Sequence, residues 1–94
     1  MKLTLYQFGA EWCNPCKVLR ETLTTNRVYG AKYVFIDCDD DANDELVEKH
    51  NIDFMPTLIL MDGDTVLERW VGIPDRYEIQ KAIYAHGGKQ EIEL

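Results

Sequence analysis

Two cysteines separated by two residues, Cys13 and Cys16, are the side chains best suited to chemistry in this sequence. They lie in the stretch EWCNPCK, with Trp12 before the pair and Lys17 after it. Such a pair has two physical uses: it can cycle between dithiol and disulfide, or it can supply half the ligands of a tetrahedral zinc site. Zinc would need two more ligands, and only Cys38, His50 and His86 remain, none of them in a second CxxC or HxxxH pair. The pattern therefore favours redox chemistry without a metal. A second candidate is acidic. The run DCDDDANDELVE from Asp37 to Glu48 puts carboxylates at positions 1, 3, 5, 9 and 12 of a calcium-loop pattern. Ala42 stands where the sharp turn of such a loop wants glycine, and the preceding KYVFI reads as strand where a helix is required. The run is better read as a solvated acidic loop leading into a helix.

Composition narrows the setting of this chemistry. Ninety-four residues with a hydrophobic fraction of 46% are expected to fold as one domain, residues 1–94, around a single modest core. A net charge of −7 argues against nucleic acid or an anionic membrane as partner, because both would repel it. Three cysteines are too few, and odd in number, for a disulfide-stapled secreted fold. With no secretory signal pattern and no bilayer-length apolar run, a cytoplasmic protein is expected.

The elements that must position the cysteines follow from the hydrophobic spacing. Residues 3–8, LTLYQF, read as a strand buried on both faces and ending at Gly9. From Cys16 the apolar positions Cys16, Leu19 and Leu23 recur at helical spacing, with Pro15 in the first turn and the helix fading across Thr24 to Asn26. After the turn-like Gly30, Lys32 to Cys38 form a second strand; a strand, helix, strand order predicts a parallel, right-handed crossover. A helix over Ala42 to His50 follows, with Asp41 as N-cap, Asp44 and Glu45 in the first turn and Asn51 at its left-handed end. Strands Leu58–Met61 and Thr65–Val71 flank the turn Asp62, Gly63, Asp64 and predict an antiparallel hairpin. Asp75 caps a last helix to about His86 with Ile79, Ala82 and Ile83 buried, and Gly87 and Gly88 stop it. The tail from Lys89 to Leu94 is expected to fray. The order is β-α-β-α-β-β-α, an α/β fold with a four-stranded mixed sheet in the order 2-1-3-4 and helices on both faces. His50 and His86 fall at helix C-termini, where a positive charge suits the dipole. Cys38 reads as a buried, inert thiol, and Tyr29, Tyr33 and Tyr77 as packing.

WCNPCK at 12–17, the Met55, Pro56, Thr57 step before a strand, and the glycines at 63 and 72 together resemble the thioredoxin family, over nearly the whole chain from Leu3 to about His86. In length the chain is similar to a glutaredoxin or a small thioredoxin-like protein, without the strand and helix that precede this core in longer thioredoxins. The resemblance implies a minimal thioredoxin-like fold with a cis peptide bond before Pro56. It also implies that Cys13 is the nucleophile and Cys16 the resolving thiol of a thiol–disulfide oxidoreductase acting on protein disulfides. Trp12, Met55 and Pro56 would meet the substrate, while Asn14, Pro15, Lys17 and Gln7 would tune the pair. The position of Cys13 just outside a helix N-terminus supports its role physically, since backbone N–H groups and the dipole favour a thiolate there. Gln7 is the departure: the family usually carries a buried aspartate six residues before the first cysteine, and glutamine cannot titrate.

No bound cofactor is implied; reducing equivalents would come from NADPH through a flavoprotein thioredoxin reductase. Glutathione is the alternative donor, in a glutaredoxin-like use of the fold. Trp12 and Lys17 favour the reductase, the short N-terminus favours glutathione, and the residues between the cysteines are not the proline and tyrosine common in glutaredoxins. A non-catalytic binding subunit is the reading of a different class. The chain is expected to be a monomer.

Overall fold

The computed structural model describes residues 3–89. Seven regular elements alternate along it: β1 (Leu3–Gly9), α1 (Asn14–Thr25), β2 (Lys32–Asp37), α2 (Asp44–Lys49), β3 (Thr57–Asp62), β4 (Thr65–Val71) and α3 (Arg76–Ala85). The four strands form one sheet in the expected order β2-β1-β3-β4. β1 pairs parallel with β2, Leu5 opposite Tyr33 and Gln7 opposite Phe35, and antiparallel with β3, Phe8 opposite Thr57. A two-residue turn led by Gly63, at φ 58°, joins β3 to β4, with a register shift at Leu60/Met61.

Burial of alternating residues gives the sheet two apolar faces. Leu3 and Leu5 of β1 and Leu58 and Leu60 of β3 pack with Leu19 and Leu23 of α1 and Ile79 and Ile83 of α3. Phe8, Ile36, Ile59 and Met61 form the opposite face, packed against Leu46 and Val47 of α2. Thr4 and Tyr6, which point to that second face, are half-buried, so β1 is less enclosed there than its composition predicts. Among the described residues no helix is long and apolar enough to cross a membrane.

Several boundaries differ from expectation for local reasons. β2 stops at Asp37, so Cys38 lies just past the strand, although its N–H still donates to Gly9 O at 2.8 Å. The helix expected from Ala42 begins instead as a 3-10 turn over Asp41–Asn43, and its cap is Asp40, not Asp41. Asp40 wins because its own backbone is extended and its carboxylate accepts the Ala42 N–H at 3.0 Å. That turn leaves only Asp44–Lys49 as α2. α2 ends with Asn51 at φ 50°, the Asn51 N–H bonded to Glu48 O and the Ile52 N–H to Val47 O. α3 ends in the same way, with Gly87 in the left-handed position and Gly88 bonded to Ile83 O. Of the tail, Lys89 is exposed and residues 90–94 lie outside the described residues.

Side chains of α3 also hold the loop between α1 and β2. Gln80, nearly buried, accepts from Tyr29 N and donates to Tyr29 O, each at 2.8 Å, while Arg76 donates to the carbonyls of Asn26 and Arg27. Tyr29 is thus tied by its backbone, and its side chain, like that of Tyr77, is exposed. Neither ring is the packing residue that sequence suggests. His50 corrects a different expectation. It caps α2 but is buried against the Phe8 ring, and burial, with Lys49 and Arg69 nearby, lowers its pKa below 6.5, so it does not serve as a charged dipole partner at neutral pH. His86 at the end of α3 has its Nε2 3.2 Å from Glu68 Oε2.

Candidate redox site

The cysteines occupy the junction of β1 and α1. β1 delivers the chain to Ala10, whose carbonyl accepts the Cys13 N–H at 3.2 Å, and Cys13 then takes the N-cap position of α1 with φ −88° and ψ 108°. Pro15 lies in the first turn, where the absence of an N–H has no cost. The geometry turns the Cys13 side chain back over the helix end, and its sulfur accepts the Cys16 N–H at 3.3 Å. Cys13 and Cys16 are joined as a disulfide with their Cα atoms 5.2 Å apart. Cys13 keeps 6% exposure and Cys16 none, so the first sulfur is the one that faces outward. Asn14, Pro15 and Lys17 are exposed on the outer side of the same turn.

Across from the pair, the Met55–Pro56 peptide bond is cis, as the resemblance implies. Met55 packs against Ala10, Cys13 and Cys16, and Pro56 is fully buried. Two bonds fix this loop: Gly72 N donates to Pro56 O at 2.9 Å, and Thr57 Oγ1 donates to Phe54 O at 2.7 Å. The same pairing brings the ends of β3 and β4 to the site, because Val71 lies opposite Thr57. Around the buried pair the chain therefore exposes large apolar side chains, Trp12 at 66%, Phe54 at 69%, Val71 and Ile73.

The acidic loop after β2 is the neighbour of Trp12. Trp12 Nε1 donates to Asp39 Oδ2 at 2.6 Å, and Asp39 N in turn donates to Asp37 Oδ1 at 2.9 Å. Its carboxylates are thus engaged in local structure: Asp37 turns the loop, Asp39 anchors the indole and Asp40 caps the 3-10 turn. Cys38, between two of these acids, is half-buried. Burial first, then the charges of Asp37 and Asp39, push its pKa up and keep it a thiol.

Beneath the pair, Gln7 is completely buried; its Nε2 donates to Cys16 O at 2.9 Å, and its Oε1 accepts from Tyr33 OH at 2.6 Å. Gly9, next on the same face of β1, lies so close to Cys16 that an added Cβ would be 2.9 Å from Cys16 Sγ. Cys16 is therefore seated directly on the strand.

The thioredoxin family model matches residues 1–85. The chain belongs to the thioredoxin family. Thioredoxin of Chlamydia trachomatis is 33% identical over 84 residues, covering 89% of this chain and 82% of that protein. Thioredoxin-T of Drosophila melanogaster is 31% identical over 88 residues; they cover 93% of this chain but only 55% of the fly protein. Among solved structures, a mutant thioredoxin from Halobacterium salinarum NRC-1 superposes with a TM-score of 0.79 at 26% identity, covering 99% of this chain and 79% of that one. With its CxxC cysteines at bonding distance, this thioredoxin-family chain is a thiol–disulfide oxidoreductase.

The structure brings Trp12, Cys13, Cys16, Met55 and Pro56 to one end of the sheet and puts Gln7 beneath them. It also supplies three residues that sequence reasoning did not assign to this thioredoxin-like site. Tyr33 was legible only as an aromatic on a strand, and its bond to Gln7 depends on the β1–β2 register. Asp39 was one of a run of acids with nothing to single it out. Phe54 carried a signal, a large aromatic two residues before the cis proline.

Proposed function

We propose that residues 1–94 act as one monomeric domain that reduces disulfides of protein substrates, with Cys13 as nucleophile and Cys16 as resolving thiol. The observation that carries this reading is that Cys13 Sγ sits at the N-cap of α1 and receives a backbone N–H there, while Cys16 is sealed behind it. An anionic sulfur gains more from that N–H and from the helix dipole than a neutral one does. The Cys13 thiolate attacks one sulfur of the substrate disulfide, forming a Cys13–substrate disulfide and releasing the first substrate thiolate, which takes a proton from water. Cys16, as thiolate, then attacks Cys13 Sγ; the second substrate thiolate leaves and the Cys13–Cys16 disulfide closes. Two electrons have passed to the substrate.

The exposed apolar rim fits an extended protein segment. Trp12 offers a flat surface, and the backbone of Met55, held by the buried Pro56, is available for strand-like pairing with that segment. Asn14, Pro15 and Lys17, on the outer turn, tune the pair, with Lys17 as a nearby positive charge. The exchange itself needs no bound cofactor. The two electrons are restored from NADPH by a flavoprotein thioredoxin reductase, and the work of a donor belongs in a reducing compartment, the cytoplasm. Trapping tests the assignment of the two sulfurs: with Cys16→Ser, a disulfide-containing protein is expected to remain covalently attached at Cys13. Attachment at Cys16 in a Cys13→Ser protein, with none at Cys13 in the reverse variant, would invert the roles.

A further inference from the structure

Two hydrogen bonds in series run beneath the cysteines, and their directions are set by chemistry. Cys16 O can only accept, so the Gln7 atom facing it is the amide nitrogen; Gln7 Oε1 then faces Tyr33, whose hydroxyl must donate. The reverse orientation of the amide would oppose two carbonyl oxygens. The Cys16 carbonyl therefore sets which way the Gln7 amide points, and Tyr33, by donating to the oxygen end of that amide, holds its nitrogen under the Cys16 carbonyl. The two side chains share a face because Leu5, Gln7 and Gly9 alternate toward α1 and the register sets Tyr33 opposite Leu5. Gly9 on the same row touches the Cys16 sulfur, so the first turn of α1 rests on β1 at two points, one under the Cys16 carbonyl and one under its sulfur.

The donor is also constant. Burial pushes the Tyr33 hydroxyl up to about 12, opposed by the nearby Arg20 guanidinium, so the group stays protonated at working pH. Arg20 itself lies 4.3 Å above the Phe35 ring and pairs with Glu11 at 3.0 Å.

We infer that Tyr33 is a positioning residue for the resolving step, acting through Gln7 to hold the backbone of Cys16 so that its sulfur stands ready to attack Cys13 Sγ in the mixed disulfide. The inference rests on the dithiol reading above. It separates the two half-reactions: Cys13 attack uses the open side of the helix end and does not depend on this contact, whereas resolution needs the Cys16 sulfur placed to within a fraction of an ångström.

Tyr33→Phe removes one oxygen and leaves the ring. Single-turnover, acid-quenched reactions with a disulfide-containing protein read both half-reactions. Mixed-disulfide formation is expected within about twofold of the unmodified chain, and its decay about tenfold slower, as loss of a positioning contact predicts. Equal rates in both steps, or both steps slowed together with a fall in melting temperature, would overturn the inference. Gln7→Glu is the second variant: the introduced carboxylate still accepts from Tyr33 but cannot donate to Cys16 O until it is protonated. Its decay step should be slow above the burial-raised pKa of that carboxyl and recover on acidification through it, an ionisation missing from the unmodified chain. No such added ionisation would count against the inference as well. A wild-type chain that never forms a mixed disulfide at Cys13 would remove the dithiol reading itself; one that cycles while Tyr33→Phe resolves normally removes only the role of Tyr33.

Discussion

Cys13 and Cys16 are three residues apart yet have different surroundings, and the division of labour proposed for them rests on that difference. One sulfur is at a helix end and receives the Cys16 N–H there; the other has no exposure and sits on a strand. Gln7 belongs to the second environment. At a buried position that in the family usually holds an acid, a neutral amide makes two hydrogen bonds and cannot change charge. Proton transfer to and from Cys16 must then use water or another group, and the pH–rate profile should lack the ionisation of a buried carboxyl. Gln7→Asp is expected to introduce one, shifted upward by burial, visible both in the pH–rate profile and in the cysteine titration. Unchanged profiles would remove Gln7 from any part in proton handling.

At the scale of elements, the hairpin, the CxxC turn and the helix stops were legible because each depends on neighbouring residues or short-range spacing. Pro15 and the Cys16, Leu19, Leu23 spacing announce α1, and Asp75 announces α3. What escaped was set by contacts across the chain. The start of α2 depends on which of three consecutive aspartates has an extended backbone, and propensity does not distinguish Asp40 from Asp41. The Trp12–Asp39 and Tyr33–Gln7 bonds link residues 27 and 26 positions apart, and they require a strand register that no local pattern specifies. The cis bond before Pro56 came from the resemblance and not from spacing. The contact between β1 and α1 gives an element-scale prediction. Gly9→Ala puts a methyl group 2.9 Å from Cys16 Sγ and 3.2 Å from the Phe35 ring, so the packed turn must shift. A loss of about 1–3 kcal/mol in denaturant unfolding is expected, as for other overpacked sites, with slower resolution. A stability equal to wild type would mean that α1 is not held closely to β1.

The whole molecule is an acidic α/β layer structure in which one end of the sheet carries the redox pair and its apolar rim. Its acid stability has an identifiable contributor in His50, which packs on Phe8 with its pKa pushed below 6.5 by burial, Lys49 and Arg69. Below that value the unfolded chain binds a proton that the folded one resists, so stability is full above 6.5 and falls as the pH drops. His50→Gln should flatten the decline in melting temperature as the pH falls below about 6.5, the ordinary histidine pKa; an unchanged slope would exclude His50 as its source. The most direct measurement of the account as a whole is reduction of a protein disulfide by catalytic amounts of the chain, run in parallel with NADPH plus a flavoprotein thioredoxin reductase and with glutathione plus its reductase. A thioredoxin-like cycle predicts sustained turnover with the flavoprotein reductase that disappears in Cys13→Ser. Turnover supported by glutathione alone, or turnover that survives Cys13→Ser, would contradict it.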